Sequence, residues 1–268
     1  MPRAENTVAA VSFLNARPLI DGLENDPAVT LLTDVPSRLL EALVARRARV
    51  GLCPVIDFQI AAADLCIVPV GAIGSDGPTH TVRVFSSVPI AEIEEVHVDG
   101  DSHTSVALLQ VILDANHGRR PVLATLNDRP LDPPDAPQAV LLIGDKVVNR
   151  APDRGLYPHD LDLGQAWKDL TGLPFVFATW LAHCGDDLGT LPSILQRRRR
   201  ANEPRIPEIV AAHADGWPIG LAARYLEHIL RYEIGERELQ ATELFWSMCR
   251  DLGLIDRLRP LRLYGDGK

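Results

Sequence analysis

The 268-residue chain has only four cysteines, and no two of them stand at Cys-x-x-Cys spacing. That argues against a zinc ribbon or a dithiol redox motif. Cys53 and Cys66 sit in apolar runs and read as small core residues. Cys184 stands beside His183, a pairing that reads as chance adjacency, because sequence neighbours rarely share a reacting geometry. His80, His103 and His183 are far apart and no His-x-x-x-His pattern links them, so neither a metal site nor a cofactor is expected. No apolar run approaches the roughly 20 residues of a membrane span. The first residues, Met1 to Asn6, carry Glu5 and lead into no signal-like stretch, which predicts a cytoplasmic protein without a membrane partner. Positive charge is also scarce. The formal net charge is −9, which disfavours a nucleic-acid partner. Arg197 to Arg200 form the one basic run, and with no aromatic residue interleaved it reads as a solvated helix face or loop. Gly74, Ser75 and Gly77 predict a flexible turn, and no phosphate-loop or dinucleotide pattern follows them.

Short apolar runs alternate with helical segments, the pattern of an α/β protein. Strands are predicted over 8–14, 49–55, 66–70 and 82–86, with a helix over 36–44 for which Ser37 is the expected N-cap. A short helical turn or loop is expected over 61–65. The pattern then restarts with strands over 94–98, 122–126 and 139–143 and a helix over 104–116 closed by Gly118. A polar, proline-rich loop covers 128–137, and 175–180 carries the chain back. The last third reads as two helices, 219–232 and 236–251, broken at Gly235, with Leu239, Thr242, Trp246 and Cys249 as a packing stripe. This order predicts two lobes: a discontinuous first lobe of residues 1–88 and 181–268, and a second of residues 89–180. Clefts between lobes are common ligand sites.

Several residues stand where such a cleft would find them. Asn15 follows the first strand and offers a neutral donor and acceptor; alone, it also reads as a turn residue. Arg17 suits a bidentate carboxylate contact or a surface position. Ser86 and Ser87 end a strand, and a crossover there would set both hydroxyls on the cleft floor; an ordinary strand end is the alternative. Ser102, Thr104 and Ser105 precede or open a helix, where hydroxyls and amides either cap it or hold a carboxylate. Asp145 follows a strand and Gly144, and is a base, a hydroxyl partner or a cap. Asp57 is a second candidate acid.

Seven segments, in order, carry a resemblance. They are Ser12 to Leu19 (SFLNARPL), Gly71 to Pro78, Thr81 to Ser86, Ser102 to Leu109 (SHTSVALL), Leu142 to Asp145, Asp162 to Trp167 (DLGQAW) and Thr171 to Ala178. Over roughly residues 8 to 255 this set resembles the chorismate dehydratase family of the futalosine route to menaquinone. The resemblance implies a two-lobed type II periplasmic-binding-protein-like fold with the ligand between the lobes. It implies chorismate as the small-molecule substrate, dehydrated to 3-[(1-carboxyvinyl)oxy]benzoate without a cofactor; the oligomeric state is left open. By this resemblance Asn15 stabilises charge developing in the transition state, while Thr104, Ser105 and Ser86 anchor carboxylates. The base is not identified; Asp145 is one option and the enolpyruvyl carboxylate of the substrate itself is another. The chain departs from the family pattern at Arg49, where family members often carry Asp, and near His80 and His103, where they carry Arg or a similar residue. Histidine at those places makes anion binding depend on pH between about 5 and 8. The sister 1,4-dihydroxy-6-naphthoate synthases share the fold and some motifs, but Ser102 to Val106 and Asn15 to Pro18 are closer to the dehydratase. A solute-binding protein without chemistry is the reading from a different class.

Overall fold

The computed structural model describes residues 6–98, 102–126, 130–133 and 135–266; part of the proline-rich loop expected over 128–137 lies outside them. Eleven strands are found among the described residues: β1 (Thr7–Ala10), β2 (Thr30–Thr33), β3 (Val50–Pro54), β4 (Leu65–Ser75), β5 (Val82–Ser86), β6 (Glu95–Val98), β7 (Val122–Thr125), β8 (Ala139–Ile143), β9 (His159–Asp162), β10 (Phe175–His183) and β11 (Leu230–Arg231). They form two sheets, ordered β11-β4-β10-β3-β1-β2 and β7-β6-β8-β5-β9. In the first, β1 runs parallel to β2 and β3, while β10 lies antiparallel between β3 and β4. In the second, β6 is parallel to β7 and β8, and β5 runs antiparallel between β8 and β9.

Burial explains the strand sequences. All four residues of β1 are buried, consistent with a central parallel strand covered on both faces. In β8, Ala139 and Leu141 join the main core, whereas Val140 and Leu142 join a smaller cluster with Phe85, Leu126, Val147 and Tyr157 on the opposite face. Alternation along one strand therefore fills two layers at once. The main core is continuous from the first sheet to the second.

Several elements differ from the sequence reading. β1 stops at Ala10, and Leu14–Ala16 form a 3-10 turn leading into a short helix, Arg17–Ile20, with Pro18 in its first turn. A buried apolar run does not distinguish a strand from a packed turn. The helix Pro36–Val44 starts one residue before Ser37, with Val35 in the cap position. Gly74 and Ser75 are not part of a flexible turn but the buried end of β4, whereas Gly77 follows the strand at φ +126°. A Cβ on Gly74 would lie 2.5 Å from the Phe175 carbonyl oxygen, so glycine there permits close strand approach. The helix expected over 219–232 ends at Arg224, continues as a π-turn, Tyr225–Ile229, and then pairs as β11 along β4. Arg197 to Arg200 lie in the helix Leu191–Asn202, but Arg199 is buried and bridges to Glu233 at 3.2 Å. The solvated-face reading does not hold for that residue.

Sheet membership also departs from the expected lobe boundaries. β5 belongs to the second sheet, and all of β10 belongs to the first. The chain therefore crosses out after Ser75 and returns before Phe175, earlier than residues 89 and 180.

Candidate functional site

A cavity of about 70 Å³ opens between the two sheets. It lies beyond the carboxyl ends of β1, β3 and β8, where open α/β sheets present loops to ligands. Phe13 and Asn15 line it after β1, Pro54 at the end of β3, and Ile143 and Gly144 after β8. Phe177 and Ala178 of β10 add an apolar wall. Polar groups arrive from three other places: Thr79 and Thr81 on the outgoing crossover, Ser102 and Ser105 at the start of the helix His103–His117, and Tyr225 on the π-turn.

Thr79, Thr81 and Tyr225 form one hydrogen-bonded set, and Ser102 and Ser105 a second. The Tyr225 hydroxyl lies 2.7 Å from Thr81 Oγ1. Burial pushes the Tyr225 phenol far up, and hydrogen bonding with Thr81 and Asn15 opposes that shift only in part. The phenol therefore stays protonated. Asn15 Oδ1 is buried without a hydrogen-bond partner among the described residues, an expensive state that a ligand donor would relieve. Across the cleft, Ser102 Oγ accepts from the Ser105 amide at 3.3 Å and lies 3.0 Å from Ser105 Oγ, capping the helix. Trp217 stacks on Tyr225, with centroids 5.1 Å apart at an interplanar angle of 20°, and so backs the phenol from outside.

The crossover is set by Asp162. Its carboxylate accepts the backbone amides of Thr79 and His80 and those of Gly164 and Gln165, at 2.8 to 3.1 Å. One side chain thus caps the helix Leu163–Thr171 and grips the crossover. His80 adopts φ +62° there, a conformation unusual for a residue with a Cβ. Gly164 completes the joint: a Cβ would lie 2.3 Å from Thr79 Cγ2 and 2.7 Å from the Gly77 carbonyl oxygen. The Asp-Leu-Gly-Gln run is therefore a clamp on Thr79 and Thr81.

Of the residues singled out in the sequence, Asn15, Ser102 and Ser105 meet at the cavity. Thr104 is fully buried and turns away, its Oγ1 accepting from the Ile56 amide at 3.2 Å. Asp145 follows Gly144, but its Oδ1 accepts from Trp217 Nε1 at 3.1 Å; burial raises its pKa, and that hydrogen bond opposes the rise. Arg17 is not in the cavity wall, and its Nε is buried without a partner among the described residues. Ser86 and Ser87 lie elsewhere. Val82 of β5 lines the cavity and pairs with Ile143, whereas Ser86 pairs with Ala139 at the far end of both strands. Ser86 Oγ donates to the Val88 carbonyl and Ser87 Oγ to that of Gln138. The expected floor was misplaced because the crossover precedes β5 instead of following it. His103 is not part of the cavity lining, and its Nδ1 lies 2.7 Å from Asp57 Oδ1.

Tyr225, Thr79, Thr81 and Asp162 were missed. Asp162 before Leu163-Gly164-Gln165 had a legible N-cap signature. Tyr225 had none, because its segment reads as a continuous helix. Among the described residues no three His, Cys, Asp or Glu side chains gather as a metal site. Nor is any helix among them long and apolar enough to cross a membrane.

Two lobes of mixed sheet with a polar-lined cleft between them define a protein of the periplasmic-binding-protein fold. Solved structures share that architecture. An Archaeoglobus fulgidus protein superposes with TM-score 0.71 at 16% identity, covering 95% of this chain and all of that one. The periplasmic aliphatic sulphonate binding protein of Escherichia coli gives 0.66 at 16% identity, covering 98% and 94%. The chain belongs to the menaquinone biosynthesis family, whose model matches residues 6–251. It is 26% identical over 234 residues to the chorismate dehydratase of Thermus thermophilus, across 80% of this chain and 84% of that relative.

Proposed function

We propose that this protein is a chorismate dehydratase, a hydro-lyase. It would remove a proton from the ring carbon bearing the enolpyruvyl ether and expel the neighbouring hydroxyl as water. The product is 3-[(1-carboxyvinyl)oxy]benzoate, and formation of the aromatic ring drives the step. What the protein must supply is orientation, charge stabilisation and exclusion of the competing rearrangement. The observation that carries this reading is the Asn15 amide, whose buried, unpartnered Oδ1 lies in a cleft of hydroxyl donors. The Thermus relative supports the substrate assignment. In this reading Asn15 binds the reacting region and stabilises the developing charge. Ser102 and Ser105 receive one carboxylate, and Tyr225 with Thr81 contacts the other side of the ring. Asp145 is not part of the cavity lining, so in this reading the enolpyruvyl carboxylate of the substrate serves as the base. Incubation with chorismate, followed by chromatography with mass detection, tests the proposal. A product lighter by one water and distinct from prephenate and 4-hydroxybenzoate is expected. A thermal shift with chorismate and no product would make the chain a binding protein. Neither shift nor product would move the assignment to the sister naphthoate synthases.

A further inference from the structure

On the side of the first helical turn away from the cavity, two hydrogen bonds join neighbouring residues of opposite lobes. Ile56 and Asp57 follow β3 of the first sheet, and His103 and Thr104 open the helix that follows β6 of the second. The Ile56 amide donates to Thr104 Oγ1 at 3.2 Å, and His103 Nδ1 lies 2.7 Å from Asp57 Oδ1. Two bonds one residue apart fix both the position of the helix start and its rotation about its own axis. Asp57 is wholly buried, and its Oδ2 has no partner among the described residues, so the imidazole is the one hydrogen-bonding group shown against it. Ser102 and Ser105, in the same turn, line the cavity.

We propose that His103 and Asp57 form an interlobe latch, with His103 as a positioning residue that holds the Ser102 and Ser105 hydroxyls at the cleft. This inference rests on the reading of that cleft as the dehydration site. The groups packed around the pair leave the proton to it. The Cys53 thiol is held protonated by burial and by Asp57. Phe58 stacks on Trp246 of the C-terminal helix Glu236–Asp251, at 4.8 Å between centroids. Arg259, on the segment beside Asp57–Ile60, directs its guanidinium to the Ala61 and Ala63 carbonyls. The hydrogen bond to Asp57 raises the His103 pKa against the opposing effect of burial, and burial raises that of Asp57. Loss of the imidazolium charge at alkaline pH leaves the buried carboxylate held by a neutral N–H donor, a weaker bond than the charge-assisted one, and the latch loosens.

The test compares wild type, H103A and H103N in KM and kcat for chorismate from pH 6 to 9, together with hydrogen-exchange protection of the Ile56 amide. In H103A the closed cleft is less populated, so KM rises about tenfold or more and kcat falls less. Asn presents a neutral amide donor where Nδ1 stands and does not titrate, so H103N recovers part of the KM lost in H103A and shows a flat profile in place of the alkaline rise seen in wild type. A wild-type KM and alkaline rise in H103A would overturn the latch. If wild type makes no dehydrated product, the proposed reaction fails, and Ile56 protection decides the latch separately. A drop of about tenfold in H103A supports it and equal protection overturns it. Should H103A not fold, H103N decides: a flat profile supports the latch and a persistent alkaline rise overturns it.

Discussion

Asp162 and Asp57 are both buried beside the cleft, yet their carboxylates meet different kinds of partner. Asp162 takes four backbone amides from the crossover and from the helix it caps. Asp57 takes one imidazole nitrogen and leaves Oδ2 without a partner among the described residues. Backbone amides do not titrate, so the joint at Asp162 keeps its geometry as pH changes. An imidazole does titrate, so the joint at Asp57 weakens as the ring loses its charge. One junction sets where Thr79 and Thr81 stand, and the other governs how firmly Ser102 and Ser105 are presented.

That contrast can be broken by substitution. Asp162→Ala should have the largest effect, since it strands several buried amides and removes a helix cap. A loss of about 3–5 kcal/mol is expected from urea unfolding. A loss below about 1 kcal/mol would mean that water or a neighbour replaces the carboxylate. Gly164→Ala presses a methyl group into Thr79 and the Gly77 carbonyl. It should cost about 1–3 kcal/mol and raise KM by displacing the crossover, as unfolding and steady-state kinetics would show. A smaller effect is expected at the other joint. The folded-state pKa of His103 is raised, so its stabilisation is complete below about pH 6.5 and is lost as pH rises through the raised value. Thermal melting from pH 6 to 9 should therefore fall more steeply for wild type than for His103→Asn. Parallel curves would remove His103 from the account. Ser87→Ala should do least, with kcat/KM within about twofold of wild type, because Ser87 is exposed and bonded to Gln138 beyond the far end of β5. A tenfold loss would put the cleft in the wrong place.

Much of the strand and helix placement in the second sheet was legible in the sequence, although β5 was expected in the first lobe. β5 and β8 stand where their apolar runs predicted, and Gly118 closes the helix from His103 at φ +61°. Apolar periodicity and glycine punctuation are local, so one segment suffices to read them. The misplaced parts depend on partners distant in sequence. Ser86 looked like cleft floor because nothing local marks on which side of a strand the chain changes lobes. Gly74 and Ser75 looked like a turn because the β10 and β11 backbones that press on them come some 100 to 160 residues later. The π-turn at Tyr225 leaves no compositional trace. Within the site, Asn15, Ser102 and Ser105 were read from motif order, whereas Tyr225, Thr81 and the Asp57–His103 joint needed coordinates.

The central claim is that the cleft performs chemistry through Asn15. Its most direct test is single-turnover conversion of chorismate by wild type and by Asn15→Ala, with chorismate binding measured in parallel by thermal shift. The expected result is a variant that folds and binds but dehydrates at least about a hundredfold more slowly. Turnover within threefold of wild type in a folded Asn15→Ala protein would contradict the account.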